Sequence, residues 1–74
     1  MELKRIIEII NEVLEKKDSN IIGNEKLQDD LGICSFDMMM IIALIEKDNN
    51  VIVEVDKLKK NMTVAELCNA IVRR

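Results

Sequence analysis

The chain has 74 residues, 49% of them hydrophobic, and 14 acidic against 11 basic side chains give a net charge of −3. This length predicts one small domain spanning residues 1–74. The sequence contains no histidine and only one aromatic residue, Phe36. We therefore expect no nucleic-acid partner, no metal site, and no enzyme activity that depends on a Ser-His-Asp or Cys-His arrangement.

Two cysteines are too few for a disulfide framework, which points to a reducing compartment. The first 17 residues carry charges every few positions, unlike a signal peptide. The longest apolar run, residues 38–45, is far shorter than the roughly 20 residues of a membrane span. We expect a cytoplasmic protein without membrane association.

The N-terminal segment has the spacing of an amphipathic helix. Apolar residues recur three and four positions apart, which predicts a helix over about 2–16; they are Leu3, Ile6, Ile7, Ile10, Val13 and Leu14. This periodicity disappears between residues 17 and 34, where turn-forming residues are frequent. Apolar residues spaced along this long loop are expected to pin it to the core; they are Ile21, Ile22, Leu27, Leu31 and Ile33.

Three further helices are predicted in the second half. One begins near Ser35 and ends near residue 48, before the Asn-Asn pair at 49–50. Residues 51–55 have strand-like composition but no evident partner strand, so we interpret them as an extended connector. A short helix is expected over 56–61. Thr63 and Glu66 have the spacing of a capping box, which predicts a last helix over 63–73, with Met62 and Leu67 as its hydrophobic staple. The predicted fold is all-α.

The residue with the most evident chemistry is Ser35, whose hydroxyl lies at a loop-to-helix junction. No general base is available to make it a nucleophile, so it is a better candidate for modification by another enzyme. A phosphate ester there would be stabilised by the helix N-terminus, by roughly 0.3–1 kcal/mol. The alternative is that Ser35 only caps the helix.

The stretch DDLGICSFDMMMIIALIE, residues 29–46, resembles the phosphopantetheine attachment region of acyl carrier proteins, whose usual pattern is D-L-G-x-D-S-L-D. The resemblance covers nearly the whole chain and includes the tail from Asp56 to Leu67. It implies a four-helix bundle of the acyl-carrier type. It also implies that Ser35 receives 4′-phosphopantetheine from coenzyme A through a phosphopantetheinyl transferase, and that the protein catalyses nothing itself.

The sequence departs from the family pattern at several positions. Cys34 stands where an acid usually precedes the serine, and Phe36 where leucine usually follows it. Met40 and Lys47 occupy positions of the second helix at which the family tends to be acidic. The first change bears on recognition by the transferase, and the last two bear on the choice of partner.

The second helix is apolar on most sides, which permits two interpretations of its methionines. Ile41, Ile42 and Ile45 match the family's core face, which would leave Met39 and Met40 exposed. Methionine is common on surfaces that bind varied partners, so a docking surface is favoured over core. The predicted docking residues are Phe36, Asp37, Met39, Met40, Ala43, Glu46 and Lys47.

The remaining candidates have simpler interpretations. Cys34 is either a reactive thiol at a helix start or, as we favour, a bystander. Cys68 lies on an apolar stripe and is expected to be a buried small hydrophobe. The acids Glu25, Asp29 and Asp30 are expected to form a solvated loop, with steering of a basic partner as the alternative.

The resemblance implies a monomeric carrier in fatty-acid, polyketide or related biosynthesis, whose partners are enzymes that load and transfer acyl groups. A stand-alone peptidyl carrier loaded with an amino acid is a second hypothesis, because the docking helix has low acidity. A third hypothesis, from a different class, is an unmodified adaptor that only binds a partner protein.

Overall fold

The computed structural model describes residues 1–15, 20–48 and 50–74. Its elements in chain order are three α-helices, two short strands and one 3-10 turn. They are α1 (Leu3–Leu14), α2 (Ser35–Asp48), β1 (Val51–Val53), the 3-10 helix Val55–Lys57, α3 (Val64–Asn69) and β2 (Ile71–Arg73). α1 packs against α2 and α3, and α2 packs against β1.

The two long helices agree with the sequence prediction. α1 begins one residue later than expected and ends at Leu14, because Glu15 takes a left-handed backbone conformation with φ 55°. Residue 16, the predicted end, lies outside the described residues. The predicted stripe omitted Ile9, which is buried, whereas four of its members, Leu3, Ile7, Val13 and Leu14, are half-buried against the core. α2 has the predicted bounds.

Two predictions are wrong because they overlooked a pair of β-strands. These are the extended connector at 51–55 and the continuation of the last helix to residue 73. β1 and β2 form an antiparallel pair in which Val51 lies opposite Arg73 and Val53 opposite Ile71. α3 therefore ends at Asn69, and the chain turns through Ala70, whose carbonyl accepts the Glu54 amide at 2.7 Å. The β-branched residues of both segments favour this pairing.

The predicted short helix over 56–61 is reduced to a single 3-10 turn at Val55–Lys57. Leu58 already has extended backbone angles, φ −77° and ψ 138°, so the helix cannot continue. The fold is thus mostly helical with a small two-stranded sheet, and it departs from the four-helix bundle that was predicted.

The core combines apolar side chains from all three α-helices, both strands and the long loop. Its members are Ile6, Ile9, Ile10, Ile21, Leu27, Ile33, Ile41, Ile45, Val51, Val53, Met62, Val64, Leu67, Ala70 and Ile71. The predicted capping box of α3 is present, with Thr63 and Glu66 exchanging hydrogen bonds of 2.9 and 3.1 Å. Both predicted staple residues of α3 belong to this core.

The loop that precedes α2 is pinned to the core, as predicted, by three of its apolar residues, Ile21, Leu27 and Ile33. Leu31 is half-buried against the core, whereas Ile22 is 69% exposed and was wrongly included. Backbone hydrogen bonds fix the loop to the start of α3, including the Leu27 amide to the Met62 carbonyl at 2.9 Å. The loop therefore holds the start of α2 in a defined place.

Candidate functional site

The last turn of the loop leads directly into α2. The Asp30 carboxylate accepts a hydrogen bond of 2.7 Å from the Lys26 amide, and the Gly32 amide donates to the Gln28 carbonyl at 3.1 Å. Gly32 has φ +66°, in the left-handed region that L-residues avoid. A glycine three residues before Ser35 thus allows the chain to turn into the helix.

Ser35 is the first residue of α2, and its side chain is exposed. The capping role belongs instead to Asp37, whose carboxylate accepts hydrogen bonds from the Cys34 amide and the Cys34 thiol, both at 3.2 Å. Within the described part of the chain, the Ser35 hydroxyl has no hydrogen-bond partner. The alternative in which Ser35 serves only as a helix cap therefore has no support in the geometry.

The first turn of α2 presents backbone N–H groups that its own helix does not use. The first i→i−4 hydrogen bond of the helix joins the Met38 amide to the Cys34 carbonyl at 3.0 Å. The amides of Ser35 and Phe36 precede it and have no acceptor one turn back. These donors and the helix dipole make the surroundings of the Ser35 hydroxyl favourable for a phosphate.

A cavity of about 390 Å³ lies beside Ser35, between the loop, α2 and the segment after the 3-10 turn. Its apolar walls are Leu27, Ile33, Met38, Met39, Ile42 and Leu58. Gln28, Lys59 and Lys60 supply its polar lining. A mostly apolar cavity next to an exposed hydroxyl can shelter an apolar group that is attached there.

The outward face of α2 is apolar and exposed. Phe36 and Met39 are each 69% exposed, Met40 is 40% exposed, and Ala43 is also exposed. On the opposite face Ile41 and Ile45 are fully buried, whereas Ile42 is half-buried. The structure therefore has the exposed and buried faces that the sequence predicted for this helix.

Two acids in the predicted docking set have structural contacts that the sequence did not reveal. Asp37 closes the start of α2, as described above. Glu46 is half-buried, and its carboxylate accepts the Val53 amide at 3.0 Å, which ties α2 to β1. Lys47, by contrast, is exposed. The spacing of Asp37 after Cys34 could have indicated the first contact, but no local pattern indicates the second.

The loop acids are exposed or half-buried, but they also organise the loop. The Glu25 carboxylate accepts the amides of Ile22 and Gly23, the latter at 2.8 Å, and these hydrogen bonds lower the pKa of Glu25. Asp29 accepts the Asn61 side-chain amide at 2.8 Å. Together with the Asp30 contact, these bonds show that the acids are part of the loop structure.

The two cysteines differ in exposure. Cys34 is exposed at the start of α2, directly beside Ser35. Cys68 is half-buried rather than buried, packs against the core, and donates a long hydrogen bond of 3.5 Å from its thiol to the Met1 carbonyl.

These features define a class of protein: a small, mostly helical domain that displays one serine at a helix start, in the manner of a carrier. Residues 4–71 match the family model described as the phosphopantetheine attachment site. The chain belongs to this family. No curated protein and no solved structure matches this chain significantly.

Membership of this family establishes the general role of the protein. Domains of this family are the sites at which 4′-phosphopantetheine is covalently attached, and this protein is a phosphopantetheine-carrying carrier. Such domains are generally non-catalytic and work with modifying and transferring enzymes. In the described residues, no helix is long and apolar enough to cross a membrane.

Proposed function

We propose that Ser35 is the attachment residue and that the chain, as a single carrier domain, presents acyl groups to partner enzymes of fatty-acid, polyketide or related biosynthesis. The observation that carries this proposal is the exposed Ser35 hydroxyl at the start of α2, which has no hydrogen-bond partner among the described residues. It lies within the matched residues and beside the cavity of about 390 Å³.

The residues around Ser35 fit a phosphopantetheine arm. The Ser35 oxygen would bond to the phosphorus, and the unused amides of the first turn would face the phosphate. The apolar walls of the cavity have room for part of the arm or its cargo. When attached, the arm supplies a terminal thiol that holds an acyl group as a thioester.

In the modification step, coenzyme A donates the phosphopantetheinyl group. The Ser35 oxygen forms a bond to the phosphorus nearer the pantetheine, and the bond from that phosphorus to the bridging oxygen breaks. The leaving group is adenosine 3′,5′-bisphosphate, and the hydroxyl proton passes to a base of the phosphopantetheinyl transferase. The base is external because, among the described residues, none is hydrogen-bonded to the Ser35 hydroxyl and could take its proton.

We further propose that partners dock on the outward face of α2, through Phe36, Met39, Met40 and Ala43. Lys47 would lie at the edge of this contact. Asp37 and Glu46 support the surface through their backbone hydrogen bonds. Apolar contact then contributes more to docking than charge does.

A stand-alone peptidyl carrier is the second candidate. One observation favours it: both acids of α2 whose side chains are described, Asp37 and Glu46, are bound to backbone amides. Both acids are half-buried, whereas the exposed positions Phe36, Met39 and Met40 are apolar, so the proposed docking face exposes mainly apolar side chains to a partner. The mass of the protein recovered from its own cells would show whether the cargo is acyl or aminoacyl.

The test is intact-mass spectrometry after incubation with coenzyme A and each of several phosphopantetheinyl transferases. The wild type should gain one phosphopantetheinyl group and the Ser35→Ala variant none. Ser19→Ala, which removes the only other serine, is the matched control and should be modified like the wild type. A wild type that stays unmodified with every transferase would favour the unmodified adaptor.

A further inference from the structure

All three arginines of the chain line one concavity, although they are separated in sequence by almost its full length. Arg5 lies in the first turns of α1, whereas Arg73 and Arg74 lie at the end of β2 and just after it. The concavity measures about 600 Å³. We call these three residues, with Glu2 and Asn50 beside them, the arginine concavity.

The small sheet is what brings the arginines together. Arg73 lies opposite Val51 in the strand pair, and the Arg74 amide donates to the Asn50 carbonyl at 2.9 Å. The backbone of both arginines is therefore held against the segment that follows α2. A helix continuing to residue 73, as the sequence predicted, would not make these contacts.

The guanidinium groups are available to a ligand. In the described part of the chain, none of the three has a hydrogen bond or an ion pair with another residue. Arg73 and Arg74 are exposed, and Arg5 is half-buried. Among the described residues that line the concavity, only Glu2 has an acidic side chain, so the side chains of Glu2 and the three arginines have a summed formal charge of +2.

We propose that the arginine concavity binds a short acidic segment of a partner protein. Arginine presents several N–H groups in a fixed plane and can bind a carboxylate with two of them. An extended polyanion such as nucleic acid or an anionic membrane would also meet the rest of a surface with net charge −3. A short segment can place its carboxylates within the concavity alone.

This site is distinct from the proposed attachment serine, and the proposal does not depend on modification of Ser35. The arginine concavity and the cavity beside Ser35 share no lining residue. Ser35 begins α2, whereas Asn50 follows its end, so the 14-residue helix separates the two sites by about 20 Å. A partner held at the arginine concavity would leave the serine accessible.

The experiment is an amide NMR titration of the untagged full chain with a hexa-aspartate peptide, using hexa-asparagine as the uncharged control. We expect shifts at residues 2–5, 50–51 and 71–74, but not around Ser35. Binding should weaken at least tenfold between 20 and 200 mM salt, since exposed charges are screened. Absence of these shifts at millimolar peptide would overturn the proposal.

Matched variants separate a specific site from general attraction. Replacing all three arginines by glutamine should weaken the peptide at least tenfold, and each single replacement at least twofold. Replacing Lys26, Lys59 and Lys60 by glutamine removes the same charge elsewhere and should change binding less than twofold. Equal losses in both triple variants would refute the site. Binding of anionic phosphatidylserine vesicles without peptide binding would refute it in favour of a membrane surface.

Discussion

Replacing Gly32 by alanine should destabilise the fold through the backbone alone. Gly32 has φ +66°, and a Cβ atom built there would meet no atom within 4 Å. The cost is therefore the left-handed conformation itself, about 1–2 kcal/mol for an L-residue. Alanine recovers part of this by restricting the unfolded chain, so we expect a net loss of about 1 kcal/mol.

In a domain of this size, that loss corresponds to a decrease of about 4–8 °C in Tm, measurable by circular dichroism. A chemically synthesised chain with D-alanine at position 32 is the matched control, because a D-residue favours positive φ. It should equal or exceed the wild type in Tm. An unchanged Tm for Gly32→Ala, or equal losses for both alanines, would refute the conformational explanation.

Three further predictions concern the site and its loop. Cys34→Asp should speed modification by the transferase, because a carboxylate at the helix start suits both the dipole and a basic enzyme surface; initial rates by mass spectrometry would show this. Met40→Glu should change the stability by only about 0.5 kcal/mol in a thermal melt, yet weaken the native partner, which would face an unpaired charge. Glu25 has a pKa below its ordinary 4.5 in the fold, so its stabilising effect should disappear as the pH falls below that value; Glu25→Gln should lose less stability in urea melts between pH 7 and pH 3.

Each of these has an outcome that would contradict it. An unchanged or slower rate for Cys34→Asp would mean that the transferase is adapted to this loop. A loss of several kcal/mol in Met40→Glu would show that Met40 acts as core, and Met39→Glu, at a more exposed position, is its control. Equal acid sensitivity of Glu25→Gln and the wild type would assign the loss to other carboxylates, such as that of Glu66, whose pKa is also lowered.

The sequence predicted those features of the helices that depend on residues close together in the chain. The apolar spacing of α1 and the capping box of α3 depend on residues three or four positions apart, which a sequence displays directly. The sheet depends on the pairing of Val51–Val53 with Ile71–Arg73, about twenty residues along the chain. Because Ile71 also lies four residues after Leu67, its position fits a helical stripe as well as a strand.

For the candidate site, the sequence predicted that Ser35 lies at a helix start and that Met39 and Met40 are exposed, and the structure shows both. The attachment role of Ser35 stays a prediction. The contact from Glu46 to the Val53 amide could not be predicted, since it depends on where β1 lies against α2. The convergence of the three arginines was also hidden, because it requires the strand pairing that the sequence did not reveal.

Several carboxylates of this acidic chain contact the backbone, whereas the described exposed side chains of the proposed docking face are mainly apolar. Glu25, Asp30, Asp37, Glu46 and Glu66 each accept at least one backbone N–H. Their negative charge supports loops and helix starts, and the face beside Ser35 is left to apolar side chains. Docking on that face should therefore depend weakly on salt, whereas binding at the arginine concavity should depend on it strongly. An ionic-strength series with each surface mutated in turn would separate the two, because only the arginine variants should alter the salt dependence.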